Sequence, residues 1–236
     1  MSNGSYPVRV DLRAPNKVAN WRPLVHWLLV IPHLLIARAL GALRGVLTLI
    51  SFFTVLFTKQ IPEPIFGMIV MTRRYTWRAV SYGAWLRESY PPFSFTTTSQ
   101  DDGIDPASLS VDYPRELNRW LPLVKWLLAI PHYIVLLFLG IAQTLVIFPI
   151  SFFIVLFTGT YPEGLRSFVV GVTRWSARVS AYVGLLRDEY PPFSLEDGET
   201  APMGGGTASR TLPGDTPRPD APPGGPAVPP PPPPSG

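Results

Sequence analysis

WRPLVHWLLVIPH at residues 21–33 returns as WLPLVKWLLAIPH at residues 120–132, an offset of 99. Further along, SFFTVLFT at 51–58 returns as SFFIVLFT at 151–158, now at an offset of 100. Pro62-Glu63 returns as Pro162-Glu163. Arg74, Arg78, Tyr82, Leu86 and Arg87 return as Arg174, Arg178, Tyr182, Leu186 and Arg187, and YPPFS at 90–94 returns at 190–194. One residue inserted between Gly140 and Ser151 accounts for the change in offset. Colinear matches of this length mark an internal duplication, and a duplication constrains the whole fold. The chain reads as two units, residues 1–98 and 108–195, with a linker at 99–107 and a Pro/Gly-rich tail at 196–236.

The quoted stretches open two strongly apolar windows. Hydrophobic residues make up 47% of the chain and charged residues 15%, against roughly 25% charged in soluble domains. From Trp21 to Thr58 there is no Asp or Glu, and the only charges are Arg22, Arg38 and Arg44. From Trp120 to Thr158 the only charge is Lys125. Both windows exceed the roughly 20 apolar residues that cross a bilayer, and neither has the polar face of a soluble helix. The first twenty residues carry no apolar core of a signal peptide, so the first window doubles as the insertion signal. The chain has no cysteine, which excludes disulfides, thiolate metal sites and thiol nucleophiles.

A window such as Trp120–Thr158 is 39 residues long. As one helix it would reach about 58 Å, against a hydrocarbon core of about 30 Å. Two arrangements are compatible with that length. One is a hairpin of two short helices, turning near Gly41–Gly45 and Gly140–Gln143. The other is an interfacial helix followed, from Pro131 onward, by one longer span. The hairpin is the expectation, because Arg44 and its counterpart Gln143 would then sit at loop tips rather than mid-membrane, where Arg costs at least about 2.5–3.5 kcal/mol. It also keeps the basic flanks on one side, as orientation rules prefer. The expected fold class is thus an all-α membrane protein of two tandem units. Each is a hydrophobic helical hairpin (or interfacial helix plus one span) followed by an amphipathic helix.

The amphipathic helices are expected over 65–87 and 164–187. In the second, Leu165, Phe168, Val169, Val172, Trp175, Val179, Tyr182, Val183 and Leu186 recur at helical spacing. Arg74, Arg78, Arg87, Arg174, Arg178 and Arg187 fall on the other side and are the candidate contacts for anionic lipid or a partner. The bland alternative is that the apolar face packs on the hairpin. The lead-ins Tyr6–Asp11 and Ser108–Tyr113 alternate as short strands do. TTTSQDDGIDP at 96–106 reads as a solvated linker. The tail ends in a proline run with polyproline II character, a spacer or the ligand of a tail-binding partner. No nucleic-acid-binding motif accompanies the basic residues.

These features together resemble the tandem form of the DUF4389 family, whose members are typically actinobacterial membrane proteins of unknown function. The resemblance rests on DYPRELNRW at 112–120, the Ile-Pro-His steps, FTGTYP at 157–162, RWSAR at 174–178 and the YPPFS segments. It covers about residues 6–195 and fits the second unit better, since Lys59 stands where the second unit has Gly159. It implies a membrane class and supplies no activity, cofactor or site residue.

Residues suited to chemistry are few. His33 and His132 are repeat equivalents just after proline. Each is a candidate titratable or headgroup-binding side chain, or a structural one satisfying carbonyls freed by Pro32 and Pro131. His26 has Lys125 as its counterpart. Arg87-Glu88 and Arg187-Asp188 read as local ion pairs of small value. No Walker A, nucleophile elbow, zincin or dinucleotide motif is present, so no catalytic, cofactor or metal site is assigned. The expected function is a non-enzymatic scaffold or accessory subunit of the inner (plasma) membrane, multi-pass, with N-terminus, linker and tail cytoplasmic. Its expected partners are the lipid bilayer, including anionic lipids, and a membrane protein or a second copy of the chain. The alternatives are a small oligomeric transporter or channel component and, more remotely, a lipid-acting enzyme using His33 or His132 as base.

Overall fold

A computed structural model describes residues 6–196. The expected tail lies outside the described residues. Both repeats belong to one compact body.

The first unit opens with strand β1 (Val8–Leu12), then helices α1 (Pro23–Leu29), α2 (Ile31–Thr58) and α3 (Glu63–Gly83). The second opens with strand β2 (Ala107–Val111), a single 3-10 turn at Leu121–Leu123, and helices α4 (Lys125–Leu128), α5 (Ile130–Ala142), α6 (Phe148–Thr158) and α7 (Glu163–Val183). Pro32 and Pro131 fall in the first turns of α2 and α5. There a missing N–H costs no helical bond and the fixed φ favours initiation. Glu63 and Glu163 sit in the first turns of α3 and α7, the end at which the helix dipole favours an anion.

The expected turn inside each apolar window does not form. α2 runs unbroken for 28 residues, through Gly41 and Gly45, which cost only about 1 kcal/mol each in a helix interior. The bent start α1 followed by the long helix α2 is the second arrangement weighed from sequence. In the second unit, α5 and α6 are joined through a π-helical turn at Gln143–Ile147. This turn lies inside the interval that carries the inserted residue. A π turn takes up one extra residue without breaking the helix, so the repeat's change of offset has a visible structural site.

α2 folds back on α3, and the chain after α6 folds back into α7 in the same way. Both reversals use a left-handed residue, Lys59 (φ 60) and Gly159 (φ 64). Lys59 shows that a side chain can adopt this φ; at Gly159 a Cβ would lie 2.3 Å from Asn20 Oδ1, so glycine suits this copy by its space as well.

The lead-ins are exchanged between the units. β1 packs on α7, β2 packs on α3, and the two strands form an antiparallel sheet in which Val10 pairs with Leu109. These two residues are repeat equivalents at the offset of 99, so a pseudo-two-fold axis passes between them. The exchange continues outward: Val18 N–H donates to Gly159 O at 3.0 Å, and Leu117 N–H donates to Lys59 O at 2.8 Å.

The two α-hairpins consequently lie head to tail. Asn20 bonds Phe157 O at the tip of the second hairpin, while Val30 packs on Gly83 at the base of the first. The link between them is α1, whose seven residues span only about 10 Å. The packing order is the sheet, then α3 and α7, then α2 and α5–α6 outermost. The core lies between the first two layers and includes Val10, Leu109, Phe66, Ile69, Trp77, Val169 and Leu186.

Candidate functional site

The outer layer is the most distinctive surface. Ile31–Thr58 and Ile130–Thr158 are long and apolar enough to cross a membrane by length and composition, and only 17% and 6% of their most apolar windows are buried in the protein. On α2 the buried positions form one narrow stripe, His33, Leu47, Ser51 and Val55. The rest of the helix turns outward, with Leu35, Val46, Leu49, Phe53 and Phe57 exposed. The exposure follows the repeat. Trp21 and Trp120, Trp27 and Trp126, and Phe57 and Phe157 are equivalent pairs, each exposed by more than half. A continuous apolar face of this kind marks a membrane or partner surface. These tryptophans were visible in the repeat, but nothing local distinguished an outward Trp from a core one.

The six arginines expected on a lipid-contact surface are turned inward. Arg74 and Arg174 sit at the middle of α3 and α7, where their Nε–H groups donate to Leu109 O (3.0 Å) and Val10 O (2.8 Å) of the exchanged strands. Arg74 also donates to Thr96 O and Thr98 O. Arg78 Nη2 donates to both carboxylate oxygens of Asp101, at 3.1 and 3.2 Å. Arg87 binds Asp105 with both terminal nitrogens, one bond measuring 3.0 Å. Arg178 donates to Ser194 O and Glu196 O, and Arg187 donates to Asp112 O and pairs with Glu189. Side chains at helical spacing opposite an apolar stripe look the same whether they meet water or a layer of carbonyls. The second layer, supplied by the other unit's lead-in, lies too far away in sequence to be read there.

The stretch at 96–106 is exposed at Thr96–Thr98, Gln100, Asp102 and Ile104, yet two of its acids turn inward. The side chains of Asp101 and Asp105 are 2% and 6% exposed and supply the counter-ions of Arg74, Arg78 and Arg87. A buried ion pair adds little net stability, but removing one partner costs about 3–5 kcal/mol.

His33 and His132 meet the YPPFS segments. The His33 ring stacks on Phe93 (4.3 Å) with Tyr90 at its edge, and His132 stacks on Phe193 (3.9 Å) beside Tyr190. Trp175 Nε1–H donates to His132 Nδ1 at 3.1 Å. His33 Nδ1 lies 2.8 Å from the hydroxyl of Tyr75, Trp175's counterpart. An accepted bond at Nδ1 fixes His132 as the neutral Nε2–H tautomer. The histidines therefore join the Ile-Pro-His step to the YPPFS close through rings, rather than through carbonyls freed by proline, because neither proline stands where it frees one.

His26 and Lys125 fill equivalent buried positions under Tyr82 and Tyr182. His26 stacks on Tyr82 at 4.0 Å. Lys125 lies 5.0 Å from the Tyr182 ring, donates to Arg187 O at 2.7 Å and pairs with Asp188. Burial lowers both from their ordinary pKa values.

Among the described residues no group of three or more His, Asp or Glu side chains could hold a metal ion. A family model described as a domain of unknown function, DUF4389, matches residues 20–94 and again 120–194. No curated protein and no solved structure matches the chain. The two matches cover more than half of the sequence, and the chain belongs to the DUF4389 family as a tandem member.

Proposed function

We propose that this tandem DUF4389 protein is a non-enzymatic membrane scaffold or accessory subunit, lying flat in the cytoplasmic leaflet of the plasma membrane. In this reading α1, α2 and α4–α6 sit among lipid and the strand layer faces the cytoplasm.

The position of the sheet carries the orientation. It crosses the midpoints of α3 and α7, through Arg74 and Arg174, and the hairpins run head to tail. Stood upright, with α3 and α7 about 32 Å long, the hairpins would hold the sheet near the bilayer centre. The Arg9–Asp112 pair, with side chains 47% and 42% exposed, would then meet acyl chains, at a cost of at least about 2.5–3.5 kcal/mol per charge. Laid flat, the same charges meet water, and the exposed tryptophans lie at the interface where their amphipathic rings are favoured. A structural role is supported by the six arginines, whose guanidiniums bond within the protein, and by the two histidines, whose Nδ1 atoms meet Tyr75 and Trp175.

Copurification of a defined membrane complex from native cells, lost on deletion of residues 196–236, is the expected result for a scaffold whose tail recruits a partner. A transporter or channel component is the second reading, favoured by two helices of 28 and 29 residues and by repeats related by a two-fold axis. Substrate-dependent flux in proteoliposomes of the purified chain would replace the scaffold reading with this one.

A further inference from the structure

The two units depart from their shared pattern at five positions that come together in space. Arg73 meets Ser180 and Gly184 directly, Tyr133 lines a cavity with Ser180, and Arg44 is within electrostatic reach of Arg73; the repeat equivalents of Arg73, Arg44, Tyr133, Ser180 and Gly184 are Thr173, Gln143, Leu34, Val80 and Ala84. Arg73 on α3 reaches across to α7, where it donates to the Ser180 hydroxyl and, at 2.6 Å, to Ser180 O. A Cβ at position 184 would lie 2.5 Å from Arg73 Nη2, so glycine replaces the first unit's alanine where the guanidinium passes. Tyr133 on α5 and Arg44 on α2 are within electrostatic reach of Arg73.

This cluster carries two cations and no anion. Among the described residues neither Arg44 nor Arg73 has an acidic partner, whereas Arg74, Arg78 and Arg87 all do. Arg73 Nε is buried with no hydrogen-bond partner among the described residues. Burial, and next Arg44, pull the Arg73 guanidinium down to about 9. The spare Nε–H of Arg73 and the Arg44 guanidinium, two cations within electrostatic reach in a poorly hydrated site, suit a tetrahedral oxyanion.

An apolar trough begins at the same residues. A cavity of about 450 Å³ is lined by Tyr133, Leu136, Leu137, Ser176, Val179 and Ser180. It shares Leu136 and Leu137 with a second, of about 440 Å³, which continues past Gly140 and Ile141 to Leu145. Polar donors thus stand at one end of a greasy channel along α5, on the layer that faces lipid in the reading above.

We infer that Arg73, Arg44 and Tyr133 bind the phosphate of one anionic phospholipid, whose acyl chain lies in the trough along α5. The site occurs once per chain because only one of the two pseudo-equivalent places carries these residues. It rests on the reading that the outer layer faces lipid, and it adds a defined headgroup site to that face.

Native mass spectrometry of the full chain, titrated with phosphatidylglycerol, phosphatidylcholine or inorganic phosphate, tests this. One phosphatidylglycerol is expected per chain, at least tenfold tighter than phosphatidylcholine. Arg73→Gln and Arg44→Gln each bring it to the phosphatidylcholine level. Leu137→Trp fills the trough without altering either guanidinium and weakens phosphatidylglycerol at least fivefold, which keeps the test open if an arginine variant misfolds. Arg38→Gln, an exposed change elsewhere on α2, shifts it less than twofold. Equal affinity for the two lipids, or an Arg73→Gln loss no larger than that of Arg38→Gln, overturns the site. Full competition by equimolar inorganic phosphate, with no effect of Leu137→Trp, overturns the lipid in favour of a free anion. Flotation with phosphatidylcholine vesicles separates the two levels: a chain that floats but shows no headgroup site keeps its lipid-facing layer, and one that floats with no vesicle loses both.

Discussion

Val10 pairs with Leu109, the residue that the duplication puts in Val10's own place. Pairing between repeat equivalents occurs where a two-fold axis crosses a sheet. Each unit is therefore completed by the other's lead-in, through Arg74 to Leu109 O and Arg174 to Val10 O. The order of layers, the head-to-tail hairpins and the single apolar face all follow from that axis.

The pairing is open to direct chemistry, because the chain has no cysteine. Facing residues of an antiparallel pair have Cα atoms about 4.5–5.5 Å apart, inside the range a disulfide accepts. Val10→Cys with Leu109→Cys is expected to oxidise to an intramolecular bridge, seen as a loss of two hydrogens in the intact mass. Val10→Cys with Val111→Cys, two residues out of register, is expected to stay reduced. The reverse pattern would remove the exchange.

Arg87 and Asp105 are both buried and bonded to each other at two points. Arg87→Ala is expected to cost about 3–5 kcal/mol, because it strands a buried carboxylate. Asp105→Ala is expected to cost about as much, and the double variant well under the sum. Chemical denaturation in detergent measures all three. A neutral Asp105→Ala would return residues 96–106 to the status of a spacer.

The π turn at Gln143–Ile147 holds the inserted residue. Deleting Thr144 is expected to restore a plain α-helix and to change the unfolding temperature little. Deleting Thr48 from the regular helix α2 is expected to unfold the protein, since it rotates Ser51 and Val55 by about 100° away from α3. Similar losses for the two deletions would mean that the π turn does not absorb the insertion.

His26 is buried and its pKa lies below the ordinary value. Between that lowered value and about 6.5 the unfolded chain binds a proton that the native state refuses. Stability is therefore expected to be full above about pH 6.5 and to fall as acid is added, by up to about 1.4 kcal/mol per pH unit from this group. His26→Phe, which keeps a ring on Tyr82, is expected to flatten the slope of unfolding free energy against pH. An unchanged slope would show that His26 titrates normally.

Much of this architecture was legible beforehand. The duplication, the two apolar windows and the strands at the lead-ins follow from repeats and periodicity, as do the helices expected over 65–87 and 164–187, which run Glu63–Gly83 and Glu163–Val183 and stop short of Arg87 and Arg187. The hairpin did not survive, because Gly41, Gly45 and Gly140 mark a turn only if nothing holds the helix, and α3 holds α2 along its length. Read locally, Arg44 belongs at a loop tip, because Gln143 puts a polar residue at the same point of the other unit and Arg is costly mid-membrane. Its neighbour Arg73 comes from another helix. The inward arginines escaped for the same reason, their acceptors lying in the other unit's strand or, as with Asp101 and Asp105, in a stretch with no counterpart in the second unit to flag it.

The flat orientation is tested most directly at the hairpin tips. Gln60→Cys and Thr160→Cys, introduced singly, are exposed to a membrane-impermeant thiol reagent in intact cells. With head-to-tail hairpins standing across the bilayer, these tips lie on opposite sides, so one of the two must label whichever way the protein inserts. A protein lying in the cytoplasmic leaflet labels at neither position until the cells are opened, and then at both. Labelling of one tip alone in intact cells would contradict the account.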